Sequence, residues 1–224
     1  MKIAIIGAGL GGLTFGAYAA REGHQVEIFD KNHAPGGVVA LLEHEGYKFE
    51  QGPLLLGDLL EGEPVYELLK SLDIHLDTIR ADRGIVMPDY DMIKPAEFGG
   101  KYWRREKLKA LFPEDARGID EFYRVYDHVM HLRWLGRQPQ TLGIRIRTAL
   151  AMLKLKKYAS MNADEFTKHF FKSEKICTLF TGIFADFCAD PKEVQGLGVI
   201  FMNFETAFDM RIPVEEGQHY YGGY

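Results

Sequence analysis

Hydrophobic and polar positions change their period twice within the first thirty residues. Residues 2–6 are mostly apolar, rich in isoleucine and followed by glycine, which predicts a short buried strand. Small residues line one side of the segment 12–22, which stops at Gly23 and is predicted to be a helix. The alternation at 25–29 predicts a second strand that ends at Asp30. Strand, glycine turn, helix and strand in this order predict one right-handed βαβ unit with parallel strands.

The middle of the chain has a mixed pattern, and the periodicity from residue 104 onwards is helical. A glycine-rich loop at 34–37 leads into an apparent hairpin at 38–49, and the segment 83–87 has the composition of a strand. Helices are predicted at 64–72, 104–111, 115–135, 145–158 and 163–187, the last with a break near Ser173.

This change of pattern indicates an α/β portion followed by a mostly helical portion. We expect the first to cover residues 1–100 and the second 101–205, with Gly99-Gly100 at the boundary. The aromatic and glycine-rich tail, 206–224, shows no convincing terminal element.

Composition and charge are those of an ordinary soluble globular protein. The 224 residues are 46% hydrophobic and 26% charged, with a net charge of -5 and a pI of about 5.9, so we expect no nucleic-acid partner. Only two cysteines are present, which disfavours a disulfide framework and favours a cytoplasmic protein. The apolar run after Lys2 superficially resembles a secretory leader, but its glycine spacing favours a phosphate-binding turn.

Residues Gly7-Ala8-Gly9-Leu10-Gly11-Gly12 fit the pattern G-x-G-x-x-G. Gly7 permits a tight turn, Gly9 lets the backbone approach a pyrophosphate, and Gly12 lets the helix pack closely on the strand. The helix that follows would direct unsatisfied N–H groups at the phosphates. A lone match of this kind is weak, but here the flanking strands and helix lie where the mechanism needs them.

An acid follows the second predicted strand. Asp30 is placed to accept hydrogen bonds from an adenosine ribose, with Lys31 as a neighbour of the adenosine. The negative charge of Asp30 would repel a 2′-phosphate, which argues against NADP at this site.

Two further segments follow Asp30 and bear on the choice between FAD and NAD. Pro35-Gly36-Gly37 comes first, and Gly46-Tyr47-Lys48-Phe49-Glu50-Gln51-Gly52-Pro53 follows. With these segments the chain resembles the superfamily of phytoene desaturases, carotenoid isomerases and flavin amine oxidases. The resemblance implies an FAD cofactor, with the paired glycines at its diphosphate and ribityl region and Gly52-Pro53 near its isoalloxazine. The candidate FAD-binding residues are Gly7, Gly9, Leu10, Gly11, Gly12, Asp30, Lys31, Gly36, Gly37, Val38, Gly52 and Pro53.

The resemblance continues more faintly along the helical portion. Residues 111–115 and 118–122 are similar to a helix of carotenoid desaturases and their isomerase relatives, and 217–224 resembles the turn by which such chains return to the FAD domain. Two positions depart from the family: Val38 replaces a frequent arginine, and Asp30 replaces a more usual glutamate.

The family's C-terminal half has no counterpart in this sequence. The chain therefore looks truncated, or completed by a second polypeptide that supplies that half. We expect it to bind FAD weakly or not at all on its own, because one flank of the sheet would be unpaired.

The resemblance implies an FAD-dependent oxidoreductase that transfers a hydride to or from an apolar, polyprenoid or carotenoid substrate, in desaturation, saturation or isomerisation. No residue stands out as a nucleophile or general base, which fits flavin chemistry and leaves the catalytic residues unassigned. Two alternatives stay open. One is a non-catalytic prenyl-binding protein resembling Rab GDP-dissociation inhibitors, and the other is an NAD-dependent dehydrogenase.

Two other patterns suggest sites outside the nucleotide motif. His128 and His131 are one helical turn apart, but no third ligand joins them at metal-binding spacing, so no metal is expected. The stretch 133–157 combines basic and apolar residues without an acid. Either it makes peripheral contact with a membrane, or it is the solvated face of a core-packed helix.

Overall fold

The computed structural model describes residues 1–50, 52, 56–80, 84–95, 102–204, 211–215 and 218–219. Close contacts divide the chain into two compact units, Met1–Arg83 with Thr206–Tyr224, and Gly84–Glu205. The expected α/β portion and the mostly helical portion are both present, which confirms the predicted fold class.

The first unit contains the predicted βαβ element. Strand β1, Lys2–Ile6, pairs in parallel with β2, Gln25–Phe29, and helix α1, Leu10–Arg21, connects them. The two strands are in register from the pair Lys2 and Gln25 to the pair Ile6 and Phe29. Parallel pairing therefore brings the C-terminal ends of both strands to the same edge.

Only one face of this sheet is covered among the described residues. Ile5 and Ile28 lie under α1, close to Gly16, whereas the alternate positions face outward, so that Ile6 is 85% exposed and Phe29 is 52% exposed. The prediction of a buried first strand is therefore wrong. Period-two alternation presents each face of a strand to a different environment, and here only α1 supplies a packing partner.

The rest of the first unit is built from short elements: β3, Leu41–His44, β4, Tyr47–Glu50, α2, Pro64–Ser71, and β5, Thr78–Arg80. A 3₁₀ turn, Gly37–Val39, precedes β3, and β3 and β4 form the predicted antiparallel hairpin.

The tail of the chain contains two strands that the sequence did not predict. They are β8, Arg211–Glu215, which pairs with β5, and β9, Gln218–His219, which pairs with β8. The expectation that the tail lacks a terminal element is therefore wrong. Pro213 argues locally against a strand, and the pairing that forms this one comes from a distant part of the chain.

The second unit begins with the hairpin of β6, Gly84–Val86, and β7, Asp91–Ile93. Its helices are α3, Trp103–Leu111, α4, Ala116–Gly136, α5, Leu142–Leu155, α6, Ala163–Phe170, α7, Glu174–Thr181, and α8, Gly198–Met202. The predicted break near Ser173 is confirmed, since α6 ends at Phe170 and α7 begins at Glu174. None of the helices within the described ranges combines the length and apolar character of a bilayer-spanning segment.

The core of the second unit is aromatic. Phe122 of α4 is 1% exposed, and its ring lies 4.7 Å from Phe180 and 5.7 Å from Phe170, measured between ring centres. The buried carboxylate of Asp115 accepts hydrogen bonds from the backbone N–H groups of Lys172 and Ser173, at 2.9 and 2.8 Å. Asp115 therefore ties the start of α4 to the loop between α6 and α7.

Candidate functional site

The turn between β1 and α1 is compact because of its glycines. Gly7 has a φ of +105° and donates its N–H to the carbonyl of Phe29 at 2.7 Å, which links the ends of the two strands. A Cβ on Gly12 would lie 2.0 Å from the carbonyl oxygen of Gly7. Only glycine at position 12 therefore lets α1 start this close to the strand.

Asp30 lies directly across from this turn. Its Oδ2 accepts the N–H of Ala8 at 2.7 Å, and its Oδ1 accepts the N–H of Asn32 at 2.7 Å. The hydrogen bonds from Asn32 and then Ala8, with the nearby charge of Lys31, lower the pKa of the Asp30 carboxyl below its ordinary value. The group is therefore ionised near neutral pH, and a carboxylate has about four acceptor sites, of which these bonds use two.

The second glycine pair folds back onto the same turn. Gly36 donates its N–H to the carbonyl of Ala8 at 2.7 Å and forms a parallel bridge with Gly9. A Cβ on Gly37 would lie 3.1 Å from the Cα of Gly9. The two glycine motifs, which are distant in sequence, thus form one continuous backbone surface.

Val38 and Gly52 extend this surface. A Cβ on Gly52 would lie 2.2 Å from the carbonyl oxygen of Val38, so the two backbones are in close contact, and the Val38 side chain is 64% exposed. Leu10, the first residue of α1, is 55% exposed. The candidate residue Pro53 lies outside the described residues.

The open side of the turn has the shape and polarity of an anion cradle. A Cβ on Gly9 or Gly11 would meet no heavy atom within 4 Å, and no side chain caps the helix at Gly9. The first N–H groups of a helix lack intrahelical partners and favour negative charge. An ionised acid beside such a turn fits a nucleotide diphosphate with an unmodified ribose, so the residues present fit the adenosine diphosphate part of FAD.

Sequence analysis missed the two backbone groups that orient Asp30. Ala8 and Asn32 donate through their main-chain N–H groups, and every non-proline residue carries such a group, so side-chain identity gives no signal. The predicted binding roles of the site residues themselves stay predictions.

The first unit also contains a cavity of about 530 Å³. Its lining includes Tyr66 and Leu69 of α2, Thr78 of β5 and Arg211 of β8. None of the described candidate site residues lines it.

The two histidines considered as metal ligands lie on α4. His128 and His131 both belong to this helix, and the ring of His131 stacks on Trp134 with 5.8 Å between ring centres.

Comparison with known proteins places the nucleotide motif in a family. The family described as the NAD(P)-binding Rossmann-like domain matches residues 5–72. A phytoene desaturase of Phycomyces blakesleeanus is 30% identical over 158 residues, which cover 68% of this chain and 26% of the relative. An inactive all-trans-retinol 13,14-reductase of Danio rerio is 24% identical over 201 residues, which cover 82% of this chain and 32% of the relative. The chain thus spans between about a quarter and a third of the length of these curated relatives.

A solved structure shares the fold. Putrescine oxidase bound to putrescine aligns with a TM-score of 0.53 at 15% identity, over 90% of this chain and 41% of that protein. The matched region 5–72 contains the turn, Asp30 and both glycine motifs. The chain therefore belongs to the superfamily of phytoene desaturases, carotenoid isomerases and flavin amine oxidases, and it matches its curated relatives over part of their length.

Proposed function

We propose that this chain supplies the FAD-binding portion of an oxidoreductase that exchanges a hydride with an apolar substrate of the polyprenoid or carotenoid class. The observation that carries the proposal is the hydrogen bond from Ala8 to Asp30, which holds an ionised acid against a glycine turn. The isoalloxazine of bound FAD supplies the hydride-accepting chemistry. The described residues bind and orient that cofactor.

Each part of the site has a distinct task in this proposal. The start of α1 binds the diphosphate through backbone N–H groups, and Gly9 leaves the space that a phosphate oxygen needs. Asp30 accepts hydrogen bonds from the ribose hydroxyls and repels a 2′-phosphate. Gly36 and Gly37 continue the surface along the cofactor, towards Val38 and Gly52.

The names of the relatives support the substrate class. Phytoene and retinol are both apolar polyenes, and the two curated relatives are named a phytoene desaturase and an inactive all-trans-retinol 13,14-reductase.

Nucleotide binding tests the proposal directly. FAD, NADH and NADP⁺ are added to the chain at high concentration, and melting temperature and flavin fluorescence are recorded. FAD is expected to raise the melting temperature and NADP⁺ to leave it unchanged. A shift with NADH and none with FAD would favour the dehydrogenase. No shift with any nucleotide, even at a concentration that fills a weak site, would contradict the proposal.

The substitution Gly9→Ala distinguishes an effect on FAD binding from an effect on folding stability. Gly9→Ala places a methyl group in open space, so its cost to stability is limited to about 1 kcal/mol of lost helix capping. The same methyl group occupies the diphosphate cradle, and FAD affinity is expected to fall by about tenfold or more. Gly143→Ala, where a Cβ also meets no atom within 4 Å, is the control in the second unit and is expected to leave FAD affinity unchanged.

The substrate class needs a separate assay. A preparation loaded with FAD is mixed with a polyene in detergent, and the absorption spectrum reports any change in conjugation. A diamine such as putrescine serves as the competing substrate. Flavin reduction by the diamine, without a change in the polyene spectrum, would reassign the substrate while keeping the cofactor.

A further inference from the structure

Helix α5 packs on the second unit with one side only. Ala151 and Leu155 are buried at 8% and 5% exposure, and Thr148 and Ile144 are half-buried one and two turns before Ala151. These four residues recur at helical spacing and form the face that contacts α4. The opposite side of the helix would be polar if it were an ordinary solvated face.

That opposite side is apolar. Leu142, Ile146, Leu150 and Leu153 are 76%, 53%, 58% and 65% exposed, and at 3.6 residues per turn they form one continuous stripe. An ordinary solvated face would carry polar residues at these four positions. An exposed aliphatic stripe of this kind marks a surface that meets an apolar environment.

Basic residues border the stripe on both margins. At 100° per residue, Arg145 lies on one margin, and Arg147 and Lys154 lie on the other. The whole segment 128–163 contains no aspartate or glutamate. Trp134, in the last turn of α4, is also 50% exposed, and tryptophan is enriched where protein meets the lipid headgroup region.

We propose that the stripe of Leu142, Ile146, Leu150 and Leu153 docks α5 on the surface of an anionic lipid bilayer. The four side chains of the stripe enter the boundary between headgroups and acyl chains, and the flanking cations contact lipid phosphates and carboxylates. Charge complementarity selects this occupant over a second copy of the chain. A two-fold pairing of the same surface would bring like-charged margins together. The proposal is independent of the cofactor.

Vesicle flotation with the full chain tests the apolar contribution. Vesicles of phosphatidylcholine alone are compared with vesicles that also contain phosphatidylserine at a ratio of about three to one. The chain is expected to float with the anionic vesicles only. Leu150→Glu is expected to lower the partition coefficient by about tenfold or more, because it removes an inserted side chain and adds a charge of the lipid's own sign.

Phe187→Glu is the matched control for this change. Phe187 is 59% exposed in the same unit, so the substitution alters exposure, size and charge in a comparable way outside the stripe. It is expected to leave vesicle binding unchanged. Far-UV circular dichroism of both variants verifies that each is folded, which exposed positions should permit.

The cationic margins are tested by Arg145→Gln combined with Arg147→Gln. Each cation near an anionic surface contributes a factor of about five, so the pair is expected to weaken binding by about 30-fold. Lys192→Gln, at an exposed position in another segment, serves as the control.

Three results would overturn the proposal. The first is no flotation with anionic vesicles, and the second is equal loss of binding in Leu150→Glu and Phe187→Glu. The third is a dimer in sedimentation that Leu150→Glu dissociates without any vesicle binding, which would assign the stripe to a second copy.

Discussion

Three glycines of α1, Gly11, Gly12 and Gly16, allow the packing around the nucleotide turn to be tested by adding one methyl group at a time. Gly12→Ala would place a Cβ 2.0 Å from the carbonyl oxygen of Gly7, whereas real Cβ contacts are essentially never shorter than 3.0 Å. Backbone must therefore move by about 1 Å, either at the start of α1 or at the turn. Such overpacking against a fixed group costs about 2–3 kcal/mol of unfolding free energy.

Substitution at the adjacent position, Gly11, is expected to have the opposite effect on stability. A Cβ at Gly11 meets no atom within 4 Å, so Gly11→Ala is expected to stabilise the helix by about 0.5 kcal/mol through reduced chain entropy. Gly16→Ala is intermediate. Its Cβ would lie 3.0 Å from Cδ1 of Ile28, the tip of a flexible side chain, so its effect is expected within about 0.5 kcal/mol of zero.

Hydrogen exchange of the α1 amides, measured by NMR in the absence of nucleotide, is the assay. Exchange should be faster in Gly12→Ala, slower in Gly11→Ala and nearly unchanged in Gly16→Ala, each relative to the natural chain. Slower exchange in both Gly11→Ala and Gly12→Ala would refute the reasoning, because it would mean that helix propensity outweighs contact with the turn. Faster exchange in both would contradict the open space at Gly11.

Three further predictions concern ionised and nucleophilic groups. Asp115→Ala removes a buried acceptor of two part-buried N–H bonds and is expected to lower the free energy of unfolding in urea by about 2 kcal/mol, as followed by tryptophan fluorescence. Asp190→Ala, which loses one exposed bond, should lower it by about 0.5 kcal/mol. The pKa of Asp30 is lowered on folding, so its contribution to stability is present above the ordinary carboxyl pKa and disappears as pH falls through the lowered value. The Ala8 amide, which donates to Asp30, should report the titration midpoint of the carboxyl by NMR. A midpoint at or above the ordinary carboxyl pKa would contradict this prediction. Iodoacetamide should label Cys188 quickly and Cys177 only on unfolding, because burial raises the pKa of the latter thiol; equal labelling rates would count against it.

The βαβ element could be predicted from sequence because its determinants are local. Glycine spacing, apolar alternation and a terminal acid all lie within one short segment, and parallel pairing brought Asp30 to the turn as expected. The hairpin at β3 and β4 and the break at Ser173 followed from similarly local patterns. These features need no information from the rest of the chain.

Long-range features could not be predicted in the same way. β8 pairs with β5, and Arg211 donates to Thr78 across 133 positions of sequence. Asp115 has its hydrogen-bond partners 57 and 58 residues away. The sequence carries no mark of these contacts, because each partner comes from a distant part of the chain.

The outward face of α5 is a third case. Sequence supplied the residues of this helix, but the apolar positions occur on two sides of it, and periodicity alone cannot say which side packs on the protein. Because Ala151 and Leu155 are buried, their side of the helix packs on the protein, and the stripe of Leu142, Ile146, Leu150 and Leu153 is exposed.

The weak FAD affinity expected for this chain follows from how the site is supported. Asp30 and Gly7 lie at the ends of β1 and β2, and among the described residues these strands form a two-stranded sheet with one face covered. Two strands alone are marginally stable, and parallel pairs are slightly weaker than antiparallel ones. The binding-competent arrangement is then only fractionally populated, and apparent affinity falls by that fraction. Amide exchange in β1 and β2 measures the fraction of molecules in which the two strands are paired. The FAD affinity of this chain, divided by its affinity when the sheet is stabilised, should equal that fraction. Tight FAD binding by a chain whose β1 amides exchange freely would refute this link between the open face and the site.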